Sequence, residues 1–321
     1  MKIPSSQIHP ELQPFARLSP KFSFSQKNLW FMNLLMHLMP APKPAKDIRI
    51  ENLFIPGPGE RTRIRLRIYA PKPAAGAAPV LLWLHGGGYV MGRPEMDDRV
   101  CAEYVRQAGI AVVSVDYRLA PKHPFPAALD DCTAALAWVV SQAGHLGIDA
   151  TRIAIGGESA GGGLAAALVQ RTYDRREITP VFQLLVYPML DDRTVLRTDL
   201  DDGQGVLWDQ QSNRFGWQSY LRKDCGAEEA PVYAVPARRD DLSGLPPAWI
   251  GVGSLDIFHD EAVAYAQRLK AAGVAGELKL VPGAFHGFDV INPRLPIVQD
   301  FRQSQISALK KAFHLAEEDN T

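Results

Sequence analysis

The stretch "RIAIGGESAGGGLAAALVQR" (Arg152–Arg171) joins a short apolar run to a helical pattern through glycines clustered around Ser159. Three interpretations of the cluster compete. A phosphate-binding loop needs Lys-Ser or Lys-Thr after its second glycine, but "GGL" follows Gly161. A dinucleotide-binding loop needs GxGxxG, and the nearest stretch, "GGGYVM" (Gly86–Met91), ends in methionine. The third interpretation is a nucleophile elbow, GxSxG, which residues 157–161 match.

The residues on either side of the cluster agree with the elbow. The run "RIAIG" predicts a strand that ends at the motif, and "AGGGLAAALVQR" predicts a helix that begins there. A serine in so tight a turn takes strained backbone angles, so Gly157 and Gly161 would prevent collisions beside it. Gly162 and Gly163 would let the helix pack closely. The helix N-terminus also directs N–H groups toward the serine. The pattern therefore predicts Ser159 as a nucleophile.

Short apolar runs alternate with helical patterns along the chain. Six runs predict buried parallel strands: Val80–His85, Ile110–Tyr117, Arg152–Gly156, Phe182–Pro188, Ala248–Asp256 and Glu277–Gly283. "RTRIRLRIY" (Arg61–Tyr69) alternates with a period of two, which predicts a strand with one face in water. "PAALDDCTAALAWVVSQA" and "DEAVAYAQRLKAAG" predict amphipathic helices. This alternation indicates the α/β class, with a mostly parallel sheet and helices on both faces.

Two regions interrupt the alternation, at residues 1 to about 47 and at about 191–230. Long insertions in compact folds tend to be lids or binding loops. We therefore expect a single domain over residues 1–321, with both segments lying over its functional edge. The apolar stretch "LWFMNLLMHLMP" (Leu29–Pro40) is shorter than the roughly 20 residues of a membrane span. We expect a buried or lid helix without stable membrane insertion, and contact with a lipid surface is the alternative.

Charge and cysteine content exclude several classes of protein. Lys plus Arg and Asp plus Glu both number 35, so the formal net charge is zero. No basic excess favours a nucleic-acid partner. The three cysteines, Cys101, Cys132 and Cys225, are widely spaced, which argues against a disulfide framework or a zinc site. The N-terminus lacks the pattern of a signal peptide. We expect a cytoplasmic protein.

An activated serine needs a base, and the base needs an orienting carboxylate. His286 follows the last predicted strand, at the sheet edge where catalytic groups of open α/β sheets collect. His259 falls at the start of a predicted helix, and His85 is better explained as positioning the glycine loop after it. We therefore predict His286 as the base.

Two aspartates compete for the role of the orienting carboxylate. Asp256 ends a predicted strand and so lies at the same edge as His286. Asp260 comes four residues later, in a first helical turn where aspartate commonly caps the helix. We favour Asp256, and the chain order Ser159, Asp256, His286 is that of an α/β-hydrolase.

Acyl transfer also needs donors for a developing oxyanion, each worth about 3 kcal/mol. The loop "HGGGYVMG" (His85–Gly92) follows a predicted strand and offers unhindered backbone N–H groups. Ala160, directly after Ser159, offers another. A glycine loop is a weak signal by itself, but together with the elbow and the His–Asp pair it predicts an oxyanion hole.

Several linked motifs resemble those of a known family. In chain order they are "HGGGYVMG", "DYRLAPKHPFPAALDD", "GESAGGG", "YPMLD", "LDIFHDE" and "HGF". From about residue 82 to 288 the chain resembles the hormone-sensitive-lipase-like esterases of the α/β-hydrolase superfamily. The resemblance implies an α/β-hydrolase fold with a helical cap built from the two interrupting segments. It also implies a catalytic triad and an oxyanion hole, formed respectively by Ser159, Asp256 and His286 and by Gly87, Gly88 and Ala160.

The resemblance implies a serine carboxylesterase that cleaves short- to medium-chain acyl esters through an acyl-serine intermediate, without metal or cofactor. A homodimer joined through the last strand and helix is a further expectation. The family more often has aspartate or threonine where this chain has Glu158, and the sequence does not explain this departure. Two alternatives stay open: the same triad could act on lactones, amides or acetyl groups, and the same fold could serve as a non-catalytic receptor.

Eight aromatic side chains are candidates to line an apolar cleft under the cap. They are Trp30, Phe31, Tyr89, Trp208, Phe215, Trp217, Phe285 and Phe288. For each of them, plain packing in the core is the alternative. So many aromatic residues indicate a small ester with a modest apolar acyl group as the substrate.

Overall fold

A single sheet organises the computed structural model, which describes residues 3–18, 23–38, 47–59, 62–72, 76–200, 205–222 and 225–315. The strands are β1 (Ile48–Pro56), β2 (Arg63–Pro71), β3 (Ala78–Leu84), β4 (Ala111–Asp116), β5 (Ile148–Glu158), β6 (Phe182–Val186), β7 (Ala248–Gly253) and β8 (Gly276–Val281). Their order in the sheet is β1-β2-β4-β3-β5-β6-β7-β8. β2 pairs antiparallel with β1 and β4, and the pairs from β4 to β8 are parallel. The predicted fold class is confirmed.

The six runs predicted as buried strands correspond to β3 through β8. The prediction of burial was wrong for β8, because it is an edge strand in which only Val281 is buried. β3, β4, β6 and β7 are buried along most of their length, because helices cover both faces of the sheet. The edge strand β1 was missed by the sequence pattern. Only Ile48 and Ile55 of β1 are fully buried, so its apolar signal is weak.

The second half of the β2 face that was predicted to contact water is covered in the structure. Arg67 and Tyr69 on that face are buried. The guanidinium of Arg67 donates to the carboxylate of Asp98 at 2.7 and 2.8 Å, and the Tyr69 hydroxyl donates to the same carboxylate at 2.7 Å. Asp98 begins a helix that packs on this face. Arg63 at the start of the same face is exposed and Arg65 is half-buried, so the prediction of a wet face holds for the first residues of β2 and is wrong from Arg67 onward.

Helices cover both faces of the sheet. Within the described residues they are α1 (Gln13–Leu18), α2 (Gln26–Leu38), α3 (Asp98–Ala108), α4 (Ala127–Ser141), α5 (Ala143–Leu146), α6 (Ala160–Arg175), α7 (Gln210–Leu221), α8 (His259–Ala271) and α9 (Pro296–Ala312). α3 packs against α9 on one face. On the other face α6 packs against β3, β5, β6 and α4, and it contacts α8 through a hydrogen bond from Gln170 to the Tyr265 hydroxyl. The small residues of α6 allow this central helix to lie close to the strands.

The two segments that interrupt the alternation contact each other. The Ser23 hydroxyl donates to Asp209, and the backbone N–H of Phe24 donates to the Ser212 hydroxyl at 2.9 Å. The Phe24 ring packs on Trp208 with centroids 5.5 Å apart. The N-terminal segment, which contains α2, is thereby attached to the start of α7. No helix of the described residues combines the length and the apolar character that a membrane crossing requires.

Candidate active site

Ser159 lies in the turn between β5 and α6 and has φ +54° and ψ −121°, a region that residues with side chains rarely adopt. Three backbone hydrogen bonds hold this turn. Ser159 N–H donates to Val186 at 2.9 Å, and the Ser159 carbonyl accepts from Gly163 at 3.0 Å and from Met189 at 2.9 Å. The end of β6 and the residues after it therefore support the strained turn. This local geometry is that of a nucleophile elbow.

The glycines beside Ser159 are required by close packing. A Cβ atom on Gly157 would lie 2.4 Å from the Gly161 carbonyl oxygen, and one on Gly161 would lie 2.0 Å from the Leu84 carbonyl oxygen. The following glycines meet the chain after β6, since a Cβ on Gly163 would lie 2.1 Å from the Met189 oxygen. This geometry agrees with the roles predicted from the sequence: Gly157 and Gly161 prevent collisions at the turn, and Gly163 lets the helix pack closely.

The structure brings the three predicted catalytic residues into one hydrogen-bonded chain. Ser159 Oγ lies 2.9 Å from His286 Nε2, and His286 Nδ1 lies 2.8 Å from Asp256 Oδ2. The backbone N–H of Phe258 donates to Asp256 Oδ1 at 2.9 Å and orients the carboxylate. All three side chains are almost fully buried. The arrangement allows a proton to pass from the serine to an imidazole whose tautomer the carboxylate fixes.

The glycine loop after β3 begins beside the elbow. A Cβ on Gly161 would lie 2.4 Å from the His85 carbonyl oxygen, so the two segments touch. Gly87 and Gly88 have φ of +114° and +60°, which glycine adopts at little cost. Across the described ranges, no acceptor pairs with the backbone N–H groups of Gly87, Gly88 or Ala160. Ala160 is the first residue of α6, where such N–H groups lack helical partners. The site thus combines a serine, a histidine hydrogen-bonded to it and backbone N–H groups for which the described residues supply no acceptor.

Comparison with known proteins identifies the family, because the α/β-hydrolase fold family matches residues 81–290. This chain belongs to it, among the hormone-sensitive-lipase-like esterases. The chain is 35% identical over 270 residues to esterase LipI of Mycobacterium tuberculosis, covering 84% of this chain and 83% of the relative. It is 39% identical over 228 residues to an ethyl acetate hydrolase of Pseudomonas putida, covering 70% of each. A solved bacterial heroin esterase superposes with a TM-score of 0.89 at 35% identity, over 96% of this chain and 98% of that structure.

In this α/β-hydrolase the alternative candidates His259 and Asp260 take no part in the hydrogen bonds that join Ser159, His286 and Asp256. His259 begins α8, and its Nδ1 is 2.7 Å from Asp260 Oδ1. The Asp260 side chain is 61% exposed and also pairs with Arg197. The hydrogen bond from His259 is the main cause that lowers the pKa of Asp260. Asp260 is therefore a surface carboxylate that ties α8 to the insertion.

His85 supports the glycine loop from inside the protein. It is fully buried, its Nδ1 lies 2.8 Å from the Gly86 carbonyl oxygen, and its ring stacks on Tyr117 at 4.2 Å. Burial lowers the pKa of His85, so the imidazole is neutral. The loop also leaves room for the insertion, since a Cβ on Gly88 would lie 2.1 Å from the Trp208 ring. The expected positioning role of His85 agrees with these contacts.

The eight aromatic candidates occupy different environments. Tyr89, Trp208, Trp217, Phe285 and Phe288 are buried, Phe215 is half-buried, and Trp30 and Phe31 on α2 are 74% and 56% exposed. The Tyr89 ring stacks on Tyr220 at 4.0 Å, and the Phe288 ring packs on Phe301 at 4.9 Å. Core packing thus accounts for several of them. Trp208 is distinct, because its ring lies directly against the loop that carries the unpaired N–H groups.

The sequence interpretation missed two residues that hold the site in place. Glu261 Oε1 accepts from the backbone N–H of Leu190 at 2.6 Å, which joins α8 to the start of the insertion. The Tyr187 ring packs edge-on against His286 with centroids 4.8 Å apart. Both residues lie inside motifs that carried the family resemblance, "LDIFHDE" and "YPMLD". Only their three-dimensional contacts show what their side chains do.

The packing of the elbow makes a stability prediction. Gly161→Ala will destabilise the fold by about 2–3 kcal/mol, because the new methyl group collides with the backbone of β3. Gly144→Ala is the matched control: Gly144 lies in α5 and a Cβ there meets nothing within 4 Å. It should be neutral or stabilise by up to about 1 kcal/mol. Urea unfolding followed by circular dichroism measures both, and equal midpoints for the two variants would contradict the packing argument.

Proposed function

We propose that this chain is a serine carboxylesterase that hydrolyses short- to medium-chain acyl esters through an acyl-serine intermediate. The observation that carries the proposal is the continuous contact from Ser159 through His286 to Asp256, at 2.9 and 2.8 Å, on a strained elbow. The relatives' names support it, since they include an esterase and an ethyl acetate hydrolase. Family membership supports the reaction class, and the local geometry supports the roles of the individual residues.

In the acylation step, Ser159 Oγ attacks the ester carbonyl carbon while His286 Nε2 accepts the hydroxyl proton. The carbonyl oxygen becomes an oxyanion, which the backbone N–H groups of Gly87, Gly88 and Ala160 stabilise. When the tetrahedral intermediate collapses, the imidazolium of His286 donates its proton to the departing alcohol. The serine is then acylated and the imidazole is neutral again.

In the deacylation step the same imidazole activates water. His286 accepts a proton from a water molecule that attacks the acyl carbon, and it returns this proton to Ser159 as the acid leaves. Asp256 accepts the Nδ1–H of His286 throughout and stabilises the imidazolium that forms twice per cycle. The bond from the Phe258 N–H to Asp256 keeps the second oxygen occupied, so the carboxylate does not rotate.

We further propose that the N-terminal segment and the insertion form a cap over this site within a single domain. Trp208 supports this role, because its ring contacts both Gly88 in the glycine loop and Phe24 in the N-terminal segment. A cap that reaches the proposed donor loop restricts the length of acyl chain that fits beside Ser159. The names of the ethyl acetate hydrolase and the heroin esterase support small ester substrates.

Ser159→Ala will lower kcat/KM for p-nitrophenyl acetate by about 10⁴-fold or more, because no other group replaces the attacking oxygen. It will also abolish covalent labelling by a fluorophosphonate probe. Ser141→Ala is the control, since Ser141 is an exposed residue at the end of α4. Labelling of the Ser159→Ala variant would overturn the assignment, and an unlabelled wild-type protein would favour a non-catalytic receptor.

Asp256→Asn will lower kcat by about 10⁴-fold, because an amide at this position favours the wrong tautomer of His286. The control Asp260→Asn removes an exposed carboxylate four residues later, in the first turn of α8. It should leave kcat within about threefold of wild type. Initial rates on p-nitrophenyl acetate provide the measurement. A larger loss in the Asp260 variant than in the Asp256 variant would reverse the assignment of the acid.

The substrate class is tested by comparing kcat/KM across acyl chains and bond types. We expect a maximum between acetyl and octanoyl p-nitrophenyl esters and a fall of about tenfold or more for palmitoyl, because the cap limits the cleft. A small lactone such as γ-butyrolactone and the matched anilide p-nitroacetanilide should both have lower kcat/KM than p-nitrophenyl acetate. A higher kcat/KM for the lactone or the anilide would replace the esterase assignment while leaving the proposed triad intact.

A further inference from the structure

The hydroxyl of Tyr187, next to the elbow, contacts two carboxyl groups but has one proton to donate. The Tyr187 hydroxyl oxygen lies 2.8 Å from Asp289 Oδ1 and 3.2 Å from Glu158 Oε2. A phenol has one proton to donate, so it cannot serve two carboxylates fully. Asp289 is the ionised partner, because its other oxygen accepts from the Arg302 guanidinium at 2.7 Å. Glu158 makes no ion pair within the described ranges. If Tyr187 donates to Asp289, the contact with Glu158 needs a proton from Glu158.

We propose that Glu158 is a neutral carboxylic acid that donates a hydrogen bond to Tyr187, and that this pair positions the imidazole of His286. The proposal rests on the function proposed above, because it assigns His286 as the base. Tyr187 and Glu158 are positioning residues: neither has a place in the bond-making steps. The complete series of hydrogen bonds runs from Glu158 through the Tyr187 hydroxyl to Asp289 and Arg302.

The position of Tyr187 explains how this series of hydrogen bonds acts on His286. Its ring meets the His286 ring edge-on, with centroids 4.8 Å apart and planes at 67°. Its backbone is fixed by a 2.7 Å hydrogen bond from its N–H to the Gly251 oxygen in β7. With the backbone held, the hydroxyl contacts determine where the ring lies. Phe258 packs on His286 from another direction at 5.0 Å, so the imidazole is held between two aromatic rings.

The surroundings of Glu158 favour the neutral form. The ionisable groups that face it come from several elements: Asp97 before α3, Cys101 in α3, Tyr117 after β4, Tyr187, Asp289 and Arg302 in α9. Burial is the main cause that raises the pKa of Glu158 well above its ordinary value, and the nearby acids Asp97 and Asp289 raise it further. Burial also raises the pKa of Asp97 to about 7. The Arg302 guanidinium is already bound to Asp289 at 2.7 Å and also pairs with Glu103 at 3.5 Å, so it does not balance a charge on Glu158.

A charge on Glu158 would also oppose the reaction. A Cβ atom on Gly86 would lie 3.1 Å from Glu158 Oε1, so the carboxyl group sits behind the loop that carries the proposed oxyanion donors. A negative charge there would repel the developing oxyanion. The neutral acid satisfies Tyr187 without that repulsion.

Water can reach the hydrogen-bonded series of Glu158, Asp289 and Arg302 through a cavity that Ser159 does not line. A cavity of about 750 Å³ between α3 and α9 has Asp97, Glu158, Asp289 and Arg302 in its lining. Protons on Glu158 therefore exchange with solvent, and its protonation state is an equilibrium property that deuterium exchange can report.

The first test measures the protonation of Glu158 independently of activity. The infrared difference between wild type and Glu158→Gln at neutral pH should show the C=O band of a protonated carboxyl group, shifted in D₂O. The control Glu51→Gln removes a half-buried glutamate of β1 that pairs with Arg49, and it should show loss of a carboxylate band instead. A carboxylate band lost in the Glu158 difference overturns the proposal, whether or not the protein is an esterase.

The second test measures positioning by kinetics. Tyr187→Phe and Glu158→Leu should each lower kcat about tenfold with KM little changed, because the imidazole is misplaced. Combining them should cause no further loss. Glu158→Gln should recover most of the kcat that Glu158→Leu loses, since its amide N–H can donate to Tyr187.

The kinetic outcomes separate failure of this inference from failure of the proposed function. Loss of activity in Glu158→Gln equal to that in Glu158→Leu, or wild-type kcat in Tyr187→Phe, overturns the positioning role. Neither result affects the assignment of Ser159, which depends on probe labelling of the wild-type protein. If the wild-type protein is neither labelled nor active, the esterase proposal fails, and the infrared result still decides the protonation of Glu158.

Discussion

The strained turn at Ser159 is the constraint on which the rest of the site depends. A residue with a side chain at φ +54° persists only if its surroundings hold it there. β5 lies between β3 and β6, and both neighbours contribute. The end of β6 supplies the carbonyl of Val186 that binds the turn, and the carbonyl of Leu84 in β3 lies where a Cβ on Gly161 would be. The cost of the turn is therefore offset by the packing of the central strands.

The parallel arrangement of the strands then brings the remaining groups to the same edge. The loop with Gly87 and Gly88 leaves β3, Tyr187 follows β6, Asp256 follows β7 and His286 follows β8. Because these strands are parallel, their carboxyl ends meet at one edge, as in other open α/β sheets. The same arrangement explains why a tyrosine next to β6 can support a histidine that follows β8. Glu158, the last residue of β5, reaches this tyrosine from the other side of the elbow.

Local patterns predicted the positions of β3 through β8, the elbow helix and the site candidates, because short apolar runs and glycine-dependent turns leave strong signals in the sequence. The burial predicted for β8 was wrong, because no strand of the described residues pairs with its outer edge. Other features left no such signal. The charged alternation of β2 resembles a solvent-facing strand, and the helix that covers it comes about 30 residues later. The edge strand β1 buries too little to produce a pattern. Trp30 and Phe31 were candidates to line the cleft under the cap, with core packing as the alternative, and the structure exposes both on α2.

The sequence by itself determined the α/β class, the family, and the serine, aspartate and histidine that the tertiary structure brings into contact. These properties follow from short-range chemistry: strand and helix periodicity, a turn that tolerates only glycine neighbours, and motifs in a set order. The neighbours of Glu158, the edge-on contact of Tyr187 with His286 and the packing of Trp208 against Gly88 of the glycine loop emerge only in the tertiary structure. Each of these contacts joins residues far apart in the chain or depends on how a hydroxyl is shared. Such contacts arise from packing between elements, which no local pattern encodes.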